Sequence, residues 1–435
     1  MATKEKCKMM ATRRWVLAIV FTTLLFHVFL ITYKWSGIIS NQASVRIRVH
    51  SPKATSVLGE AGMAYSPAAD GTNSIDAITK DDLKHIKGKF SNTKSPFIDP
   101  KLNINTSEAF NLHNILWWNP PKWMNDWIEE TDERRCSYTN CRVTTDRTTL
   151  KGSSAVVFSV ANTGMGSRPP LTPNERNPNQ AWIFYTLESP YNIVWKQEHK
   201  RTEWLNVFNW SWTYKPDSDI FHPYGILQTR DRPLQKNYSE VFRKKTKLAA
   251  WAVSHCGAVS ERDRYVELVN NFSNHGDGSI VDIFGSCKGA LSKPSENQFE
   301  KILDENYKFY LGFENSLCPD YITEKFFMNY KRDVITIVRG MGEYEKYFPK
   351  GSFLNTKYFP SPEDLAKFIV NLAADEERFI EYLKVKDRFS VEERRFMYQD
   401  AVCSICHKLN NIEEYRKTIV DFLDFLGTCV QPKDV

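Results

Sequence analysis

The stretch FYLGFENSLCPDYITEKFF, Phe309 to Phe327, constrains the fold of this chain more than any other. Lys308 to Phe313 has the apolar and aromatic character of a strand buried on both faces. It stops at Glu314-Asn315-Ser316. Cys318-Pro319-Asp320 then reads as a helix start, with Pro near the first position and Asp where a capping carboxylate is favoured. Strand, tight loop and helix form one unit of an open α/β sheet, in which ligands bind at the carboxyl ends of strands and helix N-termini offer unpaired N–H groups to phosphates. With the helix starting there, Tyr321, Glu324 and Lys325 stand at i, i+3 and i+4 and share one face. That set fits a nucleotide sugar: Lys325 for the diphosphate, Glu324 for hydroxyls, Tyr321 for packing or a further hydrogen bond. A Glu and a Lys on a helix also suit an ordinary solvated face. Neither G-x-x-x-x-G-K-[ST] nor G-x-G-x-x-G after a strand is present to decide between the two.

The surrounding sequence has the same alternation. KLAAWAVSHCG reads as strand and loop, SERDRYVELVNNF as helix, SIVDIFGSC and DVITIVRG as strands, and PEDLAKFIVNLAAD as helix. Upstream, SAVVFSV and AWIFYTL are short apolar runs separated by turn-rich segments, following the aromatic NILWWNPPKW. With 435 residues, 42% of them hydrophobic, the chain can fill two domains, and two α/β halves facing a cleft are expected. The net charge of +6 is mild for this length, which argues for no nucleic-acid partner and suits a small anionic ligand.

Trp15 to Tyr33, WVLAIVFTTLLFHVFLITY, is about the twenty residues that span a hydrocarbon core and contains no formally charged side chain. It reads as an uncleaved signal anchor rather than a removed signal peptide. Lys4, Lys6, Lys8, Arg13 and Arg14 precede it and only Lys34 follows closely, which keeps the tail in the cytosol and sends the remainder to a lumen or the exterior. Cys7 is then cytosolic and eight luminal cysteines remain, an even number suited to disulfides, with about 105 connectivities open. Cys403-x-x-Cys406 would suggest zinc or redox chemistry in the cytosol, but disulfides on the luminal side. Sequons at Asn105, Asn209, Asn237 and Asn271 point to the same compartment. From Ser36 to about Glu108 the chain is polar and aperiodic, a flexible stem.

FENSLCPDYITEKFF resembles the signature of the α-1,3-fucosyltransferases, Golgi type II membrane enzymes whose pattern runs Phe-Glu-Asn-Ser, a short insert, then Asp-Tyr-[Ile/Val]-Thr-Glu-Lys. TLESP from Thr186, FNWSWTYKPDSDIFHPYG from Phe208 and AWAVSHCGAVSERDRY from Ala250 resemble further parts of that catalytic region. The resemblance implies inverting transfer of L-fucose from GDP-β-L-fucose to the 3-hydroxyl of an N-acetylglucosamine, in a GT-B fold of two Rossmann-like domains. It implies Glu188 as catalytic base. Arg262, Glu314, Asn315, Tyr321, Glu324 and Lys325 are implied as GDP-fucose contacts, with Glu314 behind the others or on the sugar side. It also implies a cytosolic tail 1–14, an anchor 15–33, a stem 34–108, an acceptor-side domain 109–245, a GDP-fucose-binding domain 246–400, and a C-terminal segment 401–435 tied back to the first domain. By the same resemblance Cys403 and Cys406 bond to Cys136 and Cys141, and Cys256 pairs with Cys287, which leaves Cys318 and Cys429.

No metal is required by this reading, which leaves room for stimulation by a divalent cation, Mn or Mg. Asp217-Ser218-Asp219 looks like a metal-binding D-x-D but lies in the acceptor half, where a structural role is expected. Two departures from the family pattern affect finer donor contacts: Thr336 where a proline is common with Arg339 before Gly340, and Phe284 where many members have Tyr. Cys256-Gly257-Ala258 and Gly285-Ser286-Cys287 resemble the plant and invertebrate members that act on the innermost N-glycan N-acetylglucosamine. That core acceptor is expected, with a Lewis-type antennal acceptor as the alternative. Another sugar-nucleotide transferase on the same fold, or an inactive lectin-like membrane protein, are the remaining rivals.

Overall fold

Continuous apolar runs become parallel strands when helices cover both faces of a sheet, and this chain builds two such sheets. The computed structural model describes residues 111–132, 135–162, 165–197, 202–272 and 278–435. The tail, the anchor segment, the stem and the Asn105 sequon lie outside them. Among the described residues no helix is long and apolar enough to cross a membrane.

The first sheet contains β1 (His113–Trp117), β2 (Cys141–Thr144), β3 (Ala155–Ser159), β4 (Ala181–Thr186), β5 (Trp210–Thr213) and β6 (Ile220–Phe221) in the order β2-β1-β3-β4-β5-β6, all neighbours parallel. The second contains β8 (Lys247–Val253), β9 (Val281–Gly285), β10 (Tyr307–Phe313), β11 (Ile335–Arg339) and β12 (Phe353–Asn355) in the order β12-β11-β10-β8-β9, again all parallel. Counted within each half, both sheets run 2-1-3-4-5, and the first adds one edge strand. This order reverses direction between the first and third strands, so each half has a crevice at the carboxyl ends of those two strands.

β3, β4 and β10 are buried at every residue. β10 includes Lys308, whose ammonium donates to the Phe242 carbonyl at 2.8 Å and lies 3.4 Å from the centroid of the Phe242 ring. Burial pushes that amine down to about 8. Gly312 lets the next helix approach β10, since a Cβ there would sit 3.0 Å from the Lys325 carbonyl oxygen.

β7 (Gly225–Thr229) and β13 (Phe389–Glu393) pair antiparallel, after which the helix Arg394–Asn410 carries Cys403 and Cys406 back to the first half. Disulfides join Cys136 to Cys403, Cys141 to Cys406, Cys256 to Cys287 and Cys318 to Cys429, the pairing implied by the family resemblance. One apolar core runs through both halves, with Trp212, Tyr214 and Tyr224 from the first and Tyr321, Phe326 and Phe327 from the second.

The helix expected from Cys318-Pro319-Asp320 begins later, at Glu324, with Thr323 as its cap. Asp320 instead adopts a left-handed conformation, φ 60°, and the backbone turns before the helix starts. Cys318 is held by Cys429, and the Thr323 N–H is held by Glu314 at 2.9 Å, so the intervening residues cannot wind. Tyr321 therefore precedes the helix rather than sharing its face with Glu324 and Lys325.

On the helix that carries Cys403 and Cys406, burial and the nearby Glu392 carboxylate raise Asp400 to about 6. A raised carboxyl gives the folded state extra bound protons between about pH 4 and 6; its stabilising contribution is complete below that window and lost above it. Asp400→Asn should therefore stabilise the protein at pH 7 by about 1–2 kcal/mol, with the gain vanishing towards pH 4, as read by thermal unfolding at both pH values.

Candidate active site

The two crevices meet. One cavity, of about 430 Å3, opens at the carboxyl ends of β8 and β10, where Ala252, Ser254, His255 and Asn315 line it with Tyr310, Tyr321, Glu324 and Lys325. A second, of about 240 Å3, opens at the carboxyl ends of β1, β3 and β4 and is lined by Pro121, Trp123, Ser159, Ala161, Asn162 and Leu187 among others. Glu188, Tyr224 and Glu324 line both. Each cavity lies where the strand order of its own sheet reverses.

Glu188 stands just beyond β4, half-buried, where its N–H donates to the Thr186 hydroxyl at 3.0 Å. Asn192 Nδ2 donates to Glu188 Oε2 at 3.0 Å and fixes the direction of the carboxylate. The next residue, Ser189, donates to Ser316 Oγ at 3.0 Å in a buried contact that connects the loop after β4 to the loop after β10. Tyr224 donates its hydroxyl proton to the Leu187 carbonyl and closes the same corner. Lys215, with 9% of its side chain exposed, lies 3.4 Å from Asp320 and adds an ion pair between the two halves.

Lys325 Nζ lies 2.9 Å from Glu324 Oε1, 3.0 Å from Thr323 Oγ1 and 3.6 Å from Glu314 Oε2. Burial opposes its charge, yet the Glu324 and Glu314 carboxylates hold it above the usual lysine range. Tyr321 is 2% exposed and packs edge-on against Tyr214 at 5.1 Å; burial pushes its hydroxyl well above the usual tyrosine range. Burial likewise raises Tyr310 to about 12. These phenols stay protonated and can donate to a bound anion. Asn315 Oδ1 is buried with no partner among the described residues, an acceptor that a ligand donor would satisfy.

One expected contact lies away from the lining residues, and Glu314 takes the place behind the others that the resemblance allowed. Arg262 does not line the cleft: it is 3% exposed, and its guanidinium donates to the Phe313 carbonyl at 2.9 Å and the His255 carbonyl at 3.0 Å. It fastens the ends of β8 and β10 together, because buried carbonyls beyond a strand end need donors. Glu314 is fully buried beneath the cleft, where both its oxygens accept from Thr323. Burial pushes its carboxyl up, against the pull of Lys325. Sequence reasoning missed Asn192, Tyr224 and Tyr310; Asn192, four residues after Glu188, carried a helical-spacing signal.

Asp219 accepts from Ser211 N at 2.9 Å and lies 2.7 Å from Lys417, while Asp217 points outward near Lys215. Among the described residues no cluster of three metal-ligating side chains forms. Arg339 is buried and makes a two-pronged pair with Asp434, at 2.9 and 2.6 Å, besides donating to the Ser260 carbonyl. Phe284 packs against Phe299 and Tyr307. Asn237 and Asn271 are exposed, whereas the Asn209 amide donates to the Lys417 carbonyl and accepts from Trp182 N, each at 2.8 Å.

Glu314→Ala should cost about 3–5 kcal/mol, because it strips the Thr323 donors of their acceptor and removes half of the compensation around Lys325. Glu314→Gln keeps an acceptor and should cost about 1–3 kcal/mol. Denaturant unfolding reads both.

Residues 111–225 match the family model described as "Fucosyltransferase, N-terminal", and residues 242–424 match "Glycosyltransferase family 10 (fucosyltransferase) C-term". The chain is 32% identical over 313 residues to "Glycoprotein 3-alpha-L-fucosyltransferase A" of Drosophila melanogaster, covering 70% of this chain and 57% of that one. It is 31% identical over 316 residues to "4-galactosyl-N-acetylglucosaminide 3-alpha-L-fucosyltransferase FUT6" of Homo sapiens, covering 71% and 82%. A crystal structure of an α1,3-fucosyltransferase aligns with a TM-score of 0.46 at 16% identity, covering 72% of this chain and 93% of that one.

Proposed function

The chain belongs to glycosyltransferase family 10, the fucosyltransferases, and from that premise we propose that it transfers L-fucose from GDP-β-L-fucose to the 3-hydroxyl of an N-acetylglucosamine with inversion. The observation that carries this reading is that Glu188 lines both cavities, so a hydroxyl held on the first-sheet side can attack a sugar held on the second-sheet side across one carboxylate.

Inverting displacement needs a base on the face opposite the leaving group. Glu188 takes the hydroxyl proton as the oxygen attacks, with Asn192 holding the carboxylate in one orientation. GDP leaves with growing charge on its β-phosphate. Lys325, held charged by two carboxylates, and the Tyr321 and Tyr310 hydroxyls stabilise that charge more in the transition state than in the ground state. No metal is required in this scheme, and adding Mn or Mg tests for stimulation.

The acceptor proposed is the innermost N-glycan N-acetylglucosamine, supported by the Cys256-Gly257-Ala258 and Gly285-Ser286-Cys287 sequences. An antennal acceptor is the second reading, favoured by the likeness to the human relative named above. The same proposal places the enzyme in the Golgi membrane, anchored through Trp15–Tyr33 with its catalytic region luminal, a compartment that suits four disulfides.

Purified enzyme offered GDP-fucose, GDP-mannose and UDP-sugars, with N-glycans exposing core or antennal N-acetylglucosamine, tests the reading. Transfer from GDP-fucose alone is expected, and absence of any transfer would leave the lectin-like rival. Glu188→Ala should lower turnover about a hundredfold or more while GDP affinity by calorimetry stays near normal. Lys325→Ala should lower both, since it removes a charge-assisted contact to the diphosphate. Near-normal turnover of Glu188→Ala would move the base to another carboxylate of the cleft.

A further inference from the structure

We propose that Trp123 is the platform on which the acceptor sugar lies, over a cavity that takes a single hexose unit. The proposal rests on the fucosyl-transfer reading and goes beyond it by naming the acceptor subsite.

Trp123 is 47% exposed, an unusual position for so large an apolar side chain, and it lines the smaller cavity. It is nevertheless held firmly. It sits in the single turn Lys122–Met124 that follows Pro120-Pro121, whose rings fix the backbone. Met124, fully buried in the core shared by both halves, anchors that turn, and its N–H donates to the Pro121 carbonyl at 2.9 Å. Trp127 meets the Trp123 indole edge-on at 5.1 Å. An aromatic face immobilised before a ligand arrives adds contact area at little entropic cost. The apolar face of a pyranose, its row of C–H groups, is the natural partner of such a ring.

Size and charge define the class further. The cavity of about 240 Å3 is large enough for one hexose, with Pro121 and Ala161 as apolar walls. Its charged lining side chains are Glu188 and Glu324, the second of them paired with Lys325 at 2.9 Å. A hexosamine puts hydroxyls towards these carboxylates, which accept from them. Glu188 at the inner end then meets the hydroxyl nearest the second cavity.

The test uses the full-length enzyme in detergent. Trp123→Leu and Trp123→Phe are compared with the parent for acceptor KM, donor KM, GDP affinity by calorimetry, and glycan binding by saturation-transfer NMR. Trp123→Leu should raise the acceptor KM about tenfold or more and abolish saturation transfer to the glycan, while GDP affinity is unchanged and reports a folded protein; Trp123→Phe should recover part of the loss. Equal glycan binding by parent and Trp123→Leu, or loss of GDP affinity in step with acceptor binding, would each overturn the proposal. Glycan binding that depends on Trp123 in an enzyme that transfers no fucose would instead overturn the transfer reading and leave the subsite standing.

Discussion

A carboxylate with no exposure to solvent sits at the end of β10, and the second-sheet side of the cleft is arranged around it. Glu314 accepts from the backbone and hydroxyl of Thr323 and lies 3.6 Å from the Lys325 ammonium. A buried charge is tolerated only when its lone pairs are filled and an opposite charge is close. Those requirements fix the residue at which the helix begins and direct Lys325 into the cleft. They also leave residues 317–322 as the turn that delivers Tyr321 to the same wall.

Around that acid the loops beyond β8 and β10 are cross-tied. Ser260 donates to the Glu314 carbonyl at 2.7 Å, Arg262 reaches the Phe313 and His255 carbonyls, and Cys256 is bonded to Cys287. The C-terminal residues add a strap. Cys429 bonds to Cys318, Val430 donates to the Leu317 carbonyl at 2.8 Å, and Asp434 pairs with Arg339. Arg339 is one of the residues that depart from the family pattern, and its role here is to hold the end of the chain against the loop that carries Ser260. Together with the core shared by both halves, these ties make the meeting of the two cavities a fixed feature of the fold. Preorganisation of this kind is what an electrostatically stabilised transfer needs, since donors already in place require no reorganisation as charge develops.

Much of this is legible in the amino-acid sequence. The strand ending at Phe313, the strand AWIFYTL ahead of Glu188 and the helix beginning at Pro362 follow from apolar runs and their period, which act over a few residues. Where Arg262 would point was not visible. A guanidinium beside a ligand-binding loop satisfies the same pattern whether it faces the ligand or the backbone behind it, and only the packed surroundings choose.

Local pattern and composition establish that short apolar strands alternate with helices, that Glu188 and Asn315 follow strand ends with Glu324 and Lys325 in the helix beyond, and that eight cysteines, an even number, follow Trp15–Tyr33. The tertiary structure decided which groups share a cavity. Tyr321 reaches the wall of Glu324 and Lys325 through a turn rather than a helical face, because Cys429 and Glu314 hold the segment open. Glu188 meets the second sheet's cleft because two sheets of the same strand order present their reversal points to each other. Contacts between residues more than a hundred positions apart leave no trace in a single sequence, and here they bring Glu188 to the cavity of the second sheet.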